Sequence, residues 1–167
     1  KLAGLPTKMK VKRAAPGAEG LVVDPYSPAA LGRYLAPFTA AFQGFPAGLV
    51  RGQFHDSFEY YDAGWTPELE SAFATLHGYD LQAHAAELMD PAFLKNADKV
   101  PAGAPETLTR LKADYRATLA QLHLGYLQAW IQWSHEHGFI VRNQSHGAPA
   151  NLLDLYGSVD IPETETF

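Results

Sequence analysis

Strand-like and helix-like runs alternate along this chain, and that order restricts its architecture more than any other feature. MKVKR (9–13) reads as a strand, and LVRGQFHD (49–56) reads as a second. Between them a helix starts at about Ser27, with Pro28 at its first position and Leu31, Tyr34, Leu35 and Phe38 on its apolar face. Thr66 caps a further helix with Pro67 at its first position, and a short helix follows Asp80. A long helical pattern then runs from Pro105 to His137, with Leu108, Leu111, Tyr115, Leu119, Leu122, Tyr126 and Trp133 along one face, and Gly138 closes it. FIVRNQ (139–144) is the third strand, ANLLDLYG (150–157) is helical, and VDIPETETF (159–167) is the fourth strand. Strands separated by helices are parallel and joined by right-handed crossovers. The expected class is therefore α/β, with about four parallel strands and intervening helices.

In parallel α/β folds the residues that follow each strand gather at one edge of the sheet, where such folds place their active sites. Here Arg13 and the Glu19 loop follow the first strand, and His55, Asp56 and Glu59 follow the second. Asn143, Gln144 and His146 follow the third, and Glu163 and Glu165 close the fourth. That coincidence points to an enzyme.

Composition narrows the chemistry. With 167 residues, 47% hydrophobic and 19% charged, the chain is long enough and apolar enough for a real core. No run of about 18 apolar residues offers a membrane span. A net charge of −5 with scattered Lys and Arg lacks the electrostatic footprint of a nucleic-acid binder. The absence of cysteine excludes disulfides, thiolate zinc sites and cysteine nucleophiles.

Paired carboxylates without a phosphate-cradling glycine loop or a GxSxG elbow fit acid/base work on a glycosidic bond. Glu59 in QFHDSFEYY suits the acid, because Phe58, Tyr60 and Tyr61 are placed to desolvate it. Asp56 is a second candidate catalytic residue, placed to orient the acid or hold a sugar hydroxyl. Glu163 and Glu165 point to one face of a strand, about 6 to 7 Å apart, as a base or as oxygen ligands for a hard cation such as calcium. Arg13, His55, Asn143, Gln144 and His146 offer donors and acceptors to sugar hydroxyls. His135 and His137 read as cations near a helix C-terminus, while His77, His84 and His123 carry no assigned chemistry. Two rival readings use the same edge: a metal-dependent hydrolase with His55, Asp56, His146 and Glu163 as ligands, and a noncatalytic carbohydrate-binding scaffold.

Three longer stretches, KRAAPGAEGLVVDPYS (12–27), VRGQFHDSFEYY (50–61) and RNQSHGAPANLLDLYGSVDIPETE (142–165), together resemble the α-L-rhamnosidases of glycoside hydrolase family 106. The resemblance implies a (β/α)8 TIM-type barrel in a large, multidomain bacterial enzyme that removes terminal α-linked L-rhamnose from polysaccharides or rhamnosylated glycosides. It further implies inversion, with a glutamate acid, a glutamate base and a calcium ion. By this likeness Glu59 is the general acid and Glu163 is either a calcium ligand or the base, and a periplasmic or extracellular location follows. A whole barrel usually needs about 250 residues, so residues 1–167 are expected to be one segment of the catalytic domain, incomplete at both ends. The base and much of the pocket are then expected to lie outside it.

Overall fold

The computed structural model describes residues 7–60, 62–90 and 105–165. Helix α1 (Pro28–Phe42) is followed by strand β1 (Gly52–His55) and helix α2 (Leu69–His77). A 3-10 turn (Leu81–His84) leads into the short helix α3 (Ala85–Leu88). Helix α4 (Glu106–Glu136), strand β2 (Ile140–Asn143), helix α5 (Leu152–Gly157) and strand β3 (Ile161–Pro162) complete the order.

Local chemistry explains most boundaries. Ser27 accepts from the Ala30 N–H, and Pro28 occupies the first helical position, where its missing N–H costs nothing. Asp80 accepts from Gln82 N–H, and Asn151 accepts from Leu153 N–H to start α5. Helix α2 differs from expectation. It begins at Leu69, and the buried Thr66 hydroxyl is used on the Asp24 carboxylate at 2.8 Å instead of capping.

Among the described residues the sheet has three parallel strands in the order β1-β2-β3, with Gly52 opposite Ile140, His55 opposite Asn143, and Asn143 opposite Pro162. The expected first strand is corrected. Residues 9–13 form no parallel strand; Lys10 bridges Leu21 in antiparallel fashion, with Val11 N–H on Gly20 O at 2.9 Å and Val22 N–H on Met9 O at 3.0 Å. A hairpin around Pro16 and Gly17 closes that local pairing at lower entropic cost than a distant one. The expected fourth strand shortens to β3, although the Glu163 N–H extends its ladder to Asn143 O, and residues 166–167 lie outside the described residues.

Helix α4 is the spine. Leu111 and Leu119 pack it into a cluster with Tyr26, Leu69, Phe73 and Leu81, while Tyr126, Leu127, Trp130 and Ile131 pack it into a second with Leu31, Leu35, Val141 and Leu155. Val141 is fully buried against these helices, so the alternate residues Phe54 and Arg142 turn to the opposite face. That face is uncovered among the described residues, with Phe54 48% exposed, whereas parallel sheets are ordinarily covered on both sides.

His123 sits between the two clusters. It is 1% exposed, its Nδ1–H donates to Pro25 O at 3.0 Å, and the Phe58 ring meets it edge-on at 5.0 Å. Burial pushes its pKa down to about 4 against the hydrogen bond to Pro25, and nearby His55 adds to the effect.

Two outcomes follow from this packing. A Cβ on Gly52 would stand 2.9 Å from the Ile140 side chain and 3.0 Å from the Ile140 carbonyl oxygen, so Gly52→Ala should lower unfolding stability by about 1 to 3 kcal/mol in urea titration. His123 is neutral when folded and protonates on unfolding below about pH 6.5, so the stability it carries is complete above that pH and is lost on acidification toward about 4. Urea titrations at a series of pH values should show this loss, up to about 3 kcal/mol, and His123→Asn should flatten it. Equal slopes for parent and variant would assign the loss to another group.

Candidate active site

The register brings three strand ends side by side, so the loops leaving His55, Asn143 and Pro162 emerge at one edge. Backbone hydrogen bonds bind these loops together. Gln144 N–H donates to His55 O at 3.1 Å, Phe58 N–H donates to His146 O at 2.7 Å, and Glu163 N–H donates to Asn143 O at 3.0 Å. Gly147 permits the second contact, because a Cβ there would stand 3.2 Å from Phe58 O. Ser145, buried and non-glycine, holds a left-handed backbone (φ 53°), and its hydroxyl receives the Asn143 carboxamide. A strained residue at such a loop is a common mark of a functional site.

Glu59 projects from the first loop beside the anchored Phe58. Its carboxylate lies 2.6 Å from Lys12 Nζ and its side chain is 48% exposed. The expected desolvation is therefore corrected. Phe58 turns its ring to His123, Tyr60 packs its ring 5.0 Å from Phe58, and Tyr61 lies outside the described residues. Glu59 instead borders an open cleft of about 560 Å³ between the hairpin, α1 and β1, with Asp56, Gln53, Tyr34 and Phe38 also lining it. Asp56 accepts from Ser57 N–H at 2.8 Å, which shapes the loop. Arg13 lies exposed in the hairpin turn with φ 52°, and its neighbour Lys12 makes the contact with Glu59.

The remaining candidates separate by depth. The His55 ring turns into the helix layer against Trp130 and Tyr126, with centroids at 5.5 and 6.1 Å. Its Nδ1–H donates to Asp56 O at 3.2 Å, and burial pushes its pKa down although Asp56 and Asn143 oppose the shift. Among the described residues, His55 Nε2 is buried with no partner of hydrogen-bond geometry, as are Asn143 Oδ1 and Gln144 Oε1. Asn143 is 1% exposed, Gln144 is half-buried, and His146 is exposed.

Glu163 meets Arg142, whose Nε and Nη2 both reach Oε1 at 2.5 Å. The same guanidinium lies 5.1 Å over the Phe54 ring, so a row of Phe54, Arg142 and Glu163 crosses the uncovered face of the sheet. Lys12 and Arg142 escape the sequence reading. Strand alternation in FIVRNQ carries a signal for Arg142, which must face opposite to Val141, but nothing local marks Lys12.

The four-ligand set His55, Asp56, His146 and Glu163 does not converge: His55 is turned into the helix layer and Glu163 onto Arg142. Among the described residues no three His, Asp or Glu side chains are placed to hold one ion. Calcium takes six to eight oxygens, so Glu163 and exposed Glu165 do not by themselves make its site.

A comparison with known protein families finds no match, and a comparison with curated proteins finds none. Among solved structures, a rhamnosidase from Novosphingobium sp. PP1Y is similar, with a TM-score of 0.67 and 23% identity over 90% of this chain and 14% of that chain. The likeness is one of fold: this chain has the architecture of a portion of a rhamnosidase and spans 14% of that protein's length.

Proposed function

We propose that this chain is a segment of a glycoside hydrolase catalytic domain that releases terminal α-L-rhamnose from polysaccharides or rhamnosylated glycosides. The observation that carries the reading is the rhamnosidase-like fold, which here delivers carboxylate-bearing loops to one edge of a parallel sheet. Glu59 is the proton donor to the leaving oxygen, with Asp56 shaping its loop. Inversion requires a second carboxyl about 6.5 to 9.5 Å from Glu59 to activate water, supplied by Glu163 or from outside the segment.

The uncovered sheet face, with Phe54 and Arg142 on it, supports closure into a (β/α)8 barrel by further strands of a longer chain. A calcium ion contacting the sugar would take Glu163 and Glu165 as partial ligands and draw the rest from those strands. A periplasmic or extracellular site of action accords with polysaccharide substrates.

The test is hydrolysis of an aryl α-L-rhamnoside by the intact protein and its Glu59→Gln variant, with and without a calcium chelator. Loss of turnover by about 10²- to 10⁴-fold with sugar binding retained is the expected result. Unchanged turnover would remove Glu59 from the chemistry. Sugar binding without turnover in the parent would favour a noncatalytic scaffold.

A further inference from the structure

We propose that Lys12 is a positioning residue for Glu59, holding its carboxylate charged on the hairpin side of the cleft, so that the 9–22 hairpin governs when the candidate acid takes up its proton. This rests on the glycosidase reading above. The two residues are 47 positions apart, and their nitrogen and oxygen meet at 2.6 Å. Both ends of the contact are built. Lys12 follows the Val11 N–H to Gly20 O bond, and Arg13 turns the chain sharply behind it. Glu59 follows Phe58, whose N–H is tied to His146 O and whose ring is packed on His123. Anchoring on each side lowers the side-chain entropy lost when the pair forms.

The pair is also reversible. The two side chains are 55% and 48% exposed, so water and salt screen the attraction, and a sugar oxygen arriving at Glu59 can displace the ammonium. The other titratable groups lining the cleft are Lys10, Tyr34, His55, Asp56, Tyr60 and Tyr126. His55 is held neutral by burial, and Tyr60 and Tyr126 are pushed above their ordinary range, so none of the three carries charge near neutral pH. Asp56 acts in the opposite sense to Lys12 but points its Oδ1 at the Ser57 N–H. Lys10 adds to the positive side of the cleft and leaves a residual field when Lys12 is removed.

A general acid held charged by a cation takes its proton at a lower pH, so the basic limb of its kcat/KM profile lies lower than it would alone. The experiment measures that limb in the intact protein, with a rhamnoside of poor leaving-group ability, for the parent, Lys12→Met and Lys12→Arg. The limb of Lys12→Met should move up by about half a pH unit. Lys12→Arg should keep the parent limb, and the parent limb should itself move up as salt rises from about 0.05 M to about 0.5 M. Coincident limbs for the parent and Lys12→Met at low salt would overturn the proposal. The pairing is read independently by following the Glu59 side-chain carboxyl carbon by NMR through a pH titration. A higher midpoint in Lys12→Met supports the proposal even in a protein without turnover, where the glycosidase reading alone has failed; equal midpoints overturn it.

Discussion

Backbone pairing between Gly52–His55 and Ile140–Asn143 holds two strands parallel although α2, α3 and α4 lie between them in the chain. Everything placed at the candidate site depends on that register. It sets His55 opposite Asn143, puts the Phe58 N–H within reach of His146 O, and lets β3 continue the row so that Glu163 arrives beside Arg142. A slip of one residue would turn Val141 out of the helix layer and Arg142 into it, which burial of a guanidinium among Leu127, Trp130 and Leu155 forbids. Helix α4 enforces the register from behind, since its residues Leu127 and Ile131 share a cluster with Val141.

Electrostatics divides the site into two layers. Beneath the loops, His55 and His123 are neutral and wedged among Tyr26, Phe58, Tyr126 and Trp130, so the floor is rigid and uncharged. Above it two carboxylates each meet a cation from a distant part of the chain: Lys12 from the hairpin for the exposed Glu59, and Arg142 from β2 for the half-buried Glu163. Pairs of this kind contribute little to stability when solvated. What such a pair does is orient its carboxyl, a property that acid/base chemistry on a sugar would demand.

The order of elements was legible in the sequence because it rests on local pattern. The long apolar stripe from Leu108 to Trp133 and the closing Gly138 define α4, and LVRGQFHD and FIVRNQ each contain a strand of the sheet. MKVKR misleads because its short alternating pattern fits either a parallel strand or a hairpin arm, and pairing with Leu21 is nearer at hand. The position of Glu59 was legible, but its surroundings were not. Adjacent aromatic residues look like a desolvating shell in sequence, whereas in the fold Phe58 serves the core and a lysine from 47 residues away takes the carboxylate. His55 and Asn143 likewise read as polar strand ends, yet alternation sends both into the helix layer with Val141, where Nε2 and Oδ1 are buried.

We propose that sugar chemistry occurs at the edge where these three loops meet, with Glu59 at the leaving oxygen. A crystal structure of the intact protein with a slowly hydrolysed α-L-rhamnoside bound tests it most directly. The sugar is expected over the ends of β1, β2 and β3, with the glycosidic oxygen within about 3.2 Å of a Glu59 carboxyl oxygen. A rhamnoside seated away from this edge, or a Glu59 carboxyl turned from the glycosidic bond, would contradict it.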